Sequence, residues 1–508
     1  MSAEATKIQV QCAEVPPSAA GSRRPNPCVL VIFGISGDLA RRKLVPAMYN
    51  VAKGGSLPES FGLIGVSSRE ANPESLRESI EKLRKIQIDE KVWSFLAPRL
   101  AHVAGRSDDA ETFARLKQQL EDFDAKLGTQ GNRLYYLSTP PSTFTSILSG
   151  LKESGLIYPT RGEAGEKPWS RVIIEKPFGH DLESALELNG LASRSLHESQ
   201  IYRIDHYLGK ETVQNLQVFR FGNGIFEPLW NRKFIDHVQI TAAEELDVGG
   251  RGEFYDNTGV VRDIVQNHLM QVLELTAMEP PASLEADDVR DEKVKVTRSV
   301  RRFTPETMLT DVVMGQYKGY REVEGVKKDS RTPTYVAMKV MVDSWRWQGV
   351  PFYLRAGKNL TARCTEVSIH FHGVPFNLFG DKPNQRLASN SLTVHIQPKE
   401  GISLDFMSKV PGDDVRIAPV HMDFNYDETF ETKSPEAYER LILDCMRGDQ
   451  TLFQRRDDVE EAWRVVDPVL KNWENGSTPI PIYDPGSAGP IEADQMLAHD
   501  GRTWRQIK

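Results

Sequence analysis

From Cys28 onward the chain alternates short apolar runs with stretches in which apolar residues recur every three to four positions. Val29 to Phe33 and Phe61 to Val66 are continuous apolar runs, while Asp38 to Lys53 and Pro73 to Ile86 carry helical spacing. A polar helix from Asp109 to Leu127, a strand from Arg133 to Ser138, a helix from Thr143 to Lys152 and a strand from Arg171 to Glu175 extend the series. Continuous apolar strands alternating with helices predict an α/β arrangement with a doubly wound parallel sheet. Beyond about residue 200 the period changes to two. His237 to Thr241, Tyr335 to Val342, Thr365 to Phe371, Leu392 to Gln397 and Ile402 to Phe406 read as strands with few helices between them. This half predicts an α+β domain on a large, mainly antiparallel sheet. The first 27 residues, rich in Ala, Ser, Pro and Glu, have too little to bury and predict a flexible tail. The expected division is therefore 1–27, 28–202 and 203–508.

Composition narrows the classes of function. The 508 residues include 63 Lys and Arg against 71 Asp and Glu, a formal net charge of -8, so the chain as a whole does not attract nucleic acid or anionic membrane. No apolar run approaches the ~20 residues of a membrane-spanning helix, and the start lacks an export pattern. Cys12, Cys28, Cys364 and Cys445 are scattered without CxxC spacing. Neither a disulfide framework nor a metal cluster is expected, and a cytoplasmic location fits.

The first strand runs into Gly34-Ile35-Ser36-Gly37-Asp38-Leu39-Ala40 and then a helix. A glycine turn between strand and helix brings backbone N–H groups and a positive helix end to a pyrophosphate, a Rossmann-like feature, although Ser36 stands where a second glycine is usual. The second strand ends in Ser67-Ser68-Arg69 with no early carboxylate, which suits the 2'-phosphate of NADP better than a free ribose hydroxyl. Lys176 and Pro177 fall at the carboxyl end of a parallel strand, where ligands of open sheets bind. The densest cluster is Arg203-Ile-Asp205-His206-Tyr207-Leu-Gly-Lys210-Glu211. If helical, it sets His206 and Lys210 on one face for a phosphate monoester. Gly259 to Met278 reads as an amphipathic helix with His268 on its apolar stripe, a shielded base or simply a core histidine. On such a helix Asp263 lies about 140° round from His268 and is poorly placed to orient it.

Taken in order, Gly34 to Ala40, Asn132 to Leu137, Glu175 to Leu182, Arg203 to Glu211, Arg262 to His268, Gly349 to Lys358 and Pro435 to Arg440 resemble the glucose-6-phosphate dehydrogenase family, from Cys28 to about Trp473. The resemblance implies oxidation of glucose 6-phosphate at C1 to 6-phosphoglucono-δ-lactone with hydride transfer to NADP, the first step of the oxidative pentose phosphate pathway. It implies His268 as general base paired with Asp205. It places Lys176, His206, Tyr207, Lys210, Glu244, Asp263, Lys358 and Arg363 at the substrate, with Glu245 as an alternative to Glu244. The cofactor falls to Gly34, Ser36, Gly37, Asp38, Leu39, Ser68, Arg69, Lys176 and Pro177, no metal is required, and a homodimer or homotetramer is implied. An NADP-binding sensor without catalysis and a dehydrogenase of another hexose or hexose phosphate are the competing readings.

Overall fold

A computed structural model describes residues 24–69, 71–83, 86–159, 168–379, 387–430, 435–476 and 479–507. Most of the expected tail, residues 1–23, lies outside them. The first sheet contains β1 (Cys28–Phe33), β2 (Phe61–Ser67), β3 (Leu100–Ala104), β4 (Arg133–Leu137), β5 (Ser170–Ile174) and β6 (Ile201–Arg203). Its order is β3-β2-β1-β4-β5-β6 and every pairing is parallel, as the alternation of strand and helix predicts. All residues of β1, β2, β4, β5 and β6 are buried, which is why these strands carry no polar alternation.

The sequence reading passes over β3 and β6. The edge strand β3 is largely half-exposed and short, and β6 has three residues, so neither leaves a long apolar run. Helix Leu182–Ser195 is also missed, although Asp181 and Ser184 form a reciprocal cap at its start. The expected boundary between residues 202 and 203 falls one residue before the end of β6.

The second sheet joins β7 (Ile235–Ala243), β8 (Val312–Tyr317), β9 (Tyr335–Met341), β10 (Pro351–Gly357), β11 (Cys364–Phe371), β12 (Ser391–Gln397), β13 (Gly401–Lys409), β14 (Ile417–Asn425) and β15 (Ile482–Tyr483). The order is β14-β13-β12-β11-β7-β10-β9-β8-β15, antiparallel except at β7–β10 and β8–β15. Between the sheets runs a helical rod, Val261–Leu269 followed by Met270–Ala277. One apolar cluster extends from Val31 and Tyr135 of the first sheet through Leu269 and Val272 of this rod to Val238 and Leu354 of the second. Every residue of Met270–Ala277 is buried. The second half of the expected amphipathic helix is thus enclosed on all sides.

Late in the chain, helix Ala437–Arg447 returns to the first sheet. Leu441, Ile442, Cys445 and Met446 join the core formed by Leu30, Ile32, Ile173 and Tyr202, so this part of the expected second domain completes the first. Arg171, fully buried on β5, donates through one terminal nitrogen to the carbonyls of Cys445 at 2.8 Å and Met446 at 2.9 Å, capping that helix's last turn. Arg171→Met removes a buried donor from both carbonyls, although that of Cys445 keeps the Gly448 N–H at 3.2 Å, and is expected to destabilise the fold by about 2–4 kcal/mol. A lower thermal midpoint checks this, and an unchanged midpoint contradicts it.

Candidate active site

The carboxyl ends of β1, β2, β4, β5 and β6 lie along one edge of the first sheet, and the candidate residues gather there. After β1 the backbone turns at Gly34 with φ of 83°, closed by the Gly37 N–H on the Gly34 carbonyl at 2.9 Å. A Cβ on Gly34 would stand 2.3 Å from the Ser138 carbonyl oxygen, so only glycine keeps this cradle open. Gly34, Ser36, Gly37 and Ser68 line a cleft of about 680 Å³, with Ser67, Arg106, Ser107, Asp108, Thr139 and Thr143. Its backbone-lined floor, hydroxyls and cation fit a dinucleotide phosphate chain.

Five expected cofactor residues are not among the cleft's lining. Asp38 pairs with Arg42 at 2.6 Å on the surface, Leu39 turns toward the core, and Arg69 is exposed, its carbonyl accepting the Ser67 hydroxyl at 2.6 Å. Arg106, not singled out from the sequence, lines the cleft instead. It follows β3, the strand that the apolar pattern does not reveal, and is held by both oxygens of Asp108 at 3.0 and 2.9 Å. Lys176 and Pro177, joined by a cis peptide, stand farther along the same edge after β5.

The centre is built by three segments. Arg203 ends β6 and Asp205 to Lys210 form tight turns, with helix Glu211–Phe221 beginning only afterwards. The condition that would set His206 and Lys210 on one helical face is therefore not met. The Asp205 carboxylate takes the Tyr207 backbone N–H at 2.9 Å, a local bond that favours a turn over a helix. Its Oδ1 also lies 2.6 Å from His268 Nδ1, with both side chains 1% exposed.

Burial alone would raise the Asp205 carboxyl, but the His268 imidazole, His206 and the Tyr207 N–H hold it well below the usual carboxylate range. An ionised Asp205 only accepts, so Nδ1 carries the imidazole proton and Nε2 presents its lone pair. Burial, and then the nearby Lys176 ammonium, lower His268 from its ordinary value against the opposing pull of Asp205. The imidazole is neutral at neutral pH and available as a base.

Lys176 Nζ donates to Nε2 at 3.0 Å, to Asp263 Oδ1 at 3.1 Å and to the Asp263 carbonyl at 2.9 Å. Asp263 and His268 thus meet on one ammonium, contrary to their expected separation round an α-helix. Val261–Leu269 winds as a π-helix, whose hydrogen bonds join residues five apart and bring those positions onto one face. Burial would raise the Asp263 carboxyl, but Lys176 and Lys358 bring it down to about 2.

Tyr207 stacks on His268 at 4.1 Å and His206 meets it edge-on at 4.6 Å. The His206 ring has no hydrogen-bond partner among the described residues. Lys210 Nζ and an Arg363 terminal nitrogen both donate to Gln397 Oε1, at 2.8 and 3.1 Å. The Gln397 amide donates to the Tyr207 hydroxyl at 3.2 Å and to Thr365 at 2.8 Å. Two cations, a phenol and a histidine thereby gather in one cluster whose chemistry suits a phosphate monoester. Gln397 was not identified in the sequence, because an uncharged residue at a strand end gives no pattern signal. On the other side Lys358 binds Glu244 at 2.7 Å and lies 4.0 Å from Asp263. Glu244 faces this group, whereas Glu245 is exposed.

Fold and cleft define a dinucleotide-binding protein of the doubly wound class, with a cluster of cations, carboxylates and histidines where its parallel sheet meets the antiparallel-sheet half. Residues 31–215 match the family described as glucose-6-phosphate dehydrogenase, NAD binding domain, and residues 217–505 match its C-terminal domain. The chain belongs to the glucose-6-phosphate dehydrogenase family. It is 46% identical over 498 residues to a glucose-6-phosphate 1-dehydrogenase of Chlamydia pneumoniae, covering 95% of this chain and 96% of that one. Its identity to glucose-6-phosphate 1-dehydrogenase 2 of Mycobacterium bovis is 43%, over 95% of each chain. A crystal structure of glucose-6-phosphate 1-dehydrogenase from Mycobacterium avium matches with a TM-score of 0.82 and 40% identity, over 95% of this chain and 99% of that one. A glucose-6-phosphate dehydrogenase solved with its substrate glucose 6-phosphate matches at 0.85 and 35% identity, over 96% and 100%.

Burial lowers Lys210 to about 8. The ammonium is complete below that value and is lost as pH rises through it, so affinity for inorganic phosphate is expected to fall on the alkaline side. Lys210→Arg, which keeps its charge, is expected to flatten that limb. Calorimetric titration from about pH 6.5 to 9.5 tests this, and a flat wild-type profile contradicts it.

Proposed function

We propose that this protein is a dehydrogenase of glucose 6-phosphate, oxidising C1 to 6-phosphoglucono-δ-lactone. The observation that carries the reading is the buried Asp205–His268 pair, whose Nε2 opens toward Lys176 at the sheet edge shared with the nucleotide cleft. NADP bound in that cleft supplies the hydride acceptor.

His268 Nε2 takes the proton of the C1 hydroxyl as the C1 hydrogen departs with its electron pair, leaving a carbonyl in the ring ester. The imidazolium so formed faces the Asp205 carboxylate, which holds its orientation and stabilises its charge. Lys176 releases Nε2 to the sugar oxygen while staying tethered to Asp263. His206, Tyr207, Lys210 and Arg363 hold the 6-phosphate, with Gln397 aligning the last three. Glu244 and Asp263, paired with Lys358, accept sugar hydroxyls. Such positioning raises the rate by fixing the reacting atoms before reaction.

Gly34, Ser36, Gly37 and Ser68 cradle the nucleotide, and Asp38 and Leu39 set the start of the following helix. Lys176 and Pro177 position the nicotinamide end. Arg106 joins Arg69 as a candidate for the 2'-phosphate. The domain roles follow: the parallel-sheet half carries NADP and the antiparallel half supplies the sugar site. The exposed outer strand β14, with Val415 and Met422 beside or on it, supports a homodimer or homotetramer through this sheet. No helix among the described residues is long and apolar enough to cross a membrane, and Cys28, Cys364 and Cys445 are free. Both are compatible with a cytoplasmic enzyme.

The direct test is the near-ultraviolet absorbance of reduced nicotinamide with glucose 6-phosphate or glucose and with NADP or NAD. Reduction of NADP that needs the phosphorylated sugar supports the function, and none with any pair contradicts it. His268→Asn is expected to cut kcat by about 10²- to 10⁴-fold with KM little changed. Unchanged turnover removes the base. Arg106→Ala and Arg69→Ala, compared by KM for NADP and NAD, identify the 2'-phosphate ligand. The larger NADP-selective loss is expected at Arg106, and equal losses for both cofactors contradict this.

A further inference from the structure

One carboxylate beside the centre has no part in the chemistry above. Glu175 follows β5 directly and precedes Lys176. The Tyr136 hydroxyl on β4 donates to Glu175 Oε1 at 2.5 Å, and Tyr438, in the first turn of helix Ala437–Arg447, hydrogen-bonds the same carboxyl. The Tyr438 ring lies parallel to His206, 7° between planes and 6.2 Å between centroids, and His206 in turn packs edge-on against His268. The approach of this helix depends on Gly209, where a Cβ would stand 2.8 Å from the Ala437 carbonyl oxygen. Glu175 therefore links β4, β5 and a helix from the far end of the chain immediately behind the site.

We propose that Glu175 is a positioning residue of this reaction, holding Tyr438 against His206 and anchoring the segment that carries Lys176, so that both stay aligned on His268. This rests on the dehydrogenase function proposed above. The groups facing Glu175 are Tyr136 from β4, Tyr438 from the helix, Lys176 on its own segment and Asp205 after β6. Burial pushes its carboxyl up to about 7, against the tyrosine bonds and Lys176. Above that value the carboxylate accepts from both tyrosines. Below it the added proton turns one acceptor into a donor and loosens the link.

The experiment is a pH series of kcat and KM for glucose 6-phosphate in the full-length enzyme, Glu175→Gln, Tyr438→Phe and the double variant, with NADP affinity measured separately. Glu175→Gln is expected to lose about 10- to 100-fold in kcat/KM, to retain NADP affinity and to lose an acid-side inflection near pH 7. Tyr438→Phe is expected to show a similar loss, and the double variant one no larger than the greater single loss, because both remove the same link. If Glu175→Gln does not fold, Tyr438→Phe and Tyr136→Phe carry the test through the same inflection. Wild-type turnover accompanied by an unaltered inflection in the variants, or by losses that multiply in the double, overturns the positioning role alone. Absence of wild-type turnover overturns this role together with the function.

Discussion

The hydrogen bond between Asp205 Oδ1 and His268 Nδ1 constrains the architecture around it. Both groups are enclosed, and a charge buried without a partner is strongly disfavoured. The turn after β6 must therefore reach the rod between the sheets, and the rod must present position 268 to that turn. The two conditions tie the turn that leaves the parallel sheet to a helix packed on β7 and β10 of the antiparallel one. Tyr207 stacked on the imidazole and Lys176 on its second nitrogen complete the enclosure. What remains accessible to Nε2 is set by a lysine that belongs to the first sheet.

Electrostatics around this pair is local. The chain carries a formal charge of -8, yet Lys176, Lys210, Lys358 and Arg363 converge on one region, each answered by a carboxylate or an amide oxygen. Each partner holds a cation in place. Overall charge excludes a polyanion as partner but leaves small phosphorylated ligands open.

Much of the fold was legible because the relevant forces are local. Continuous apolar runs identified β1, β2, β4 and β5, and the glycine turn after β1 marked the nucleotide cleft. The short strands β3 and β6 stayed hidden, since neither carries enough apolar residues to stand out from a loop. With β3 went Arg106, the cation that lines the cleft where Arg69 was expected. The rod at Val261–Leu269 was read with α-helical spacing, which placed Asp263 away from His268, whereas the π-helical winding brings both onto Lys176.

The sequence by itself determined the class of each half, the glycine-dependent turn and the chemical inventory, because period, apolar runs and turn residues act over a few neighbours. Resemblance to a family supplied the pairing of Asp205 with His268, sixty-three positions apart, which no spacing rule reaches. Tertiary structure alone decided that Gln397 ties Lys210, Arg363 and Tyr207 together, that helix Ala437–Arg447 completes the first domain, and that Glu175 meets two tyrosines behind the site. Each of these depends on elements brought together by burial of a shared core, and burial specifies that partners meet without recording in the sequence which ones do.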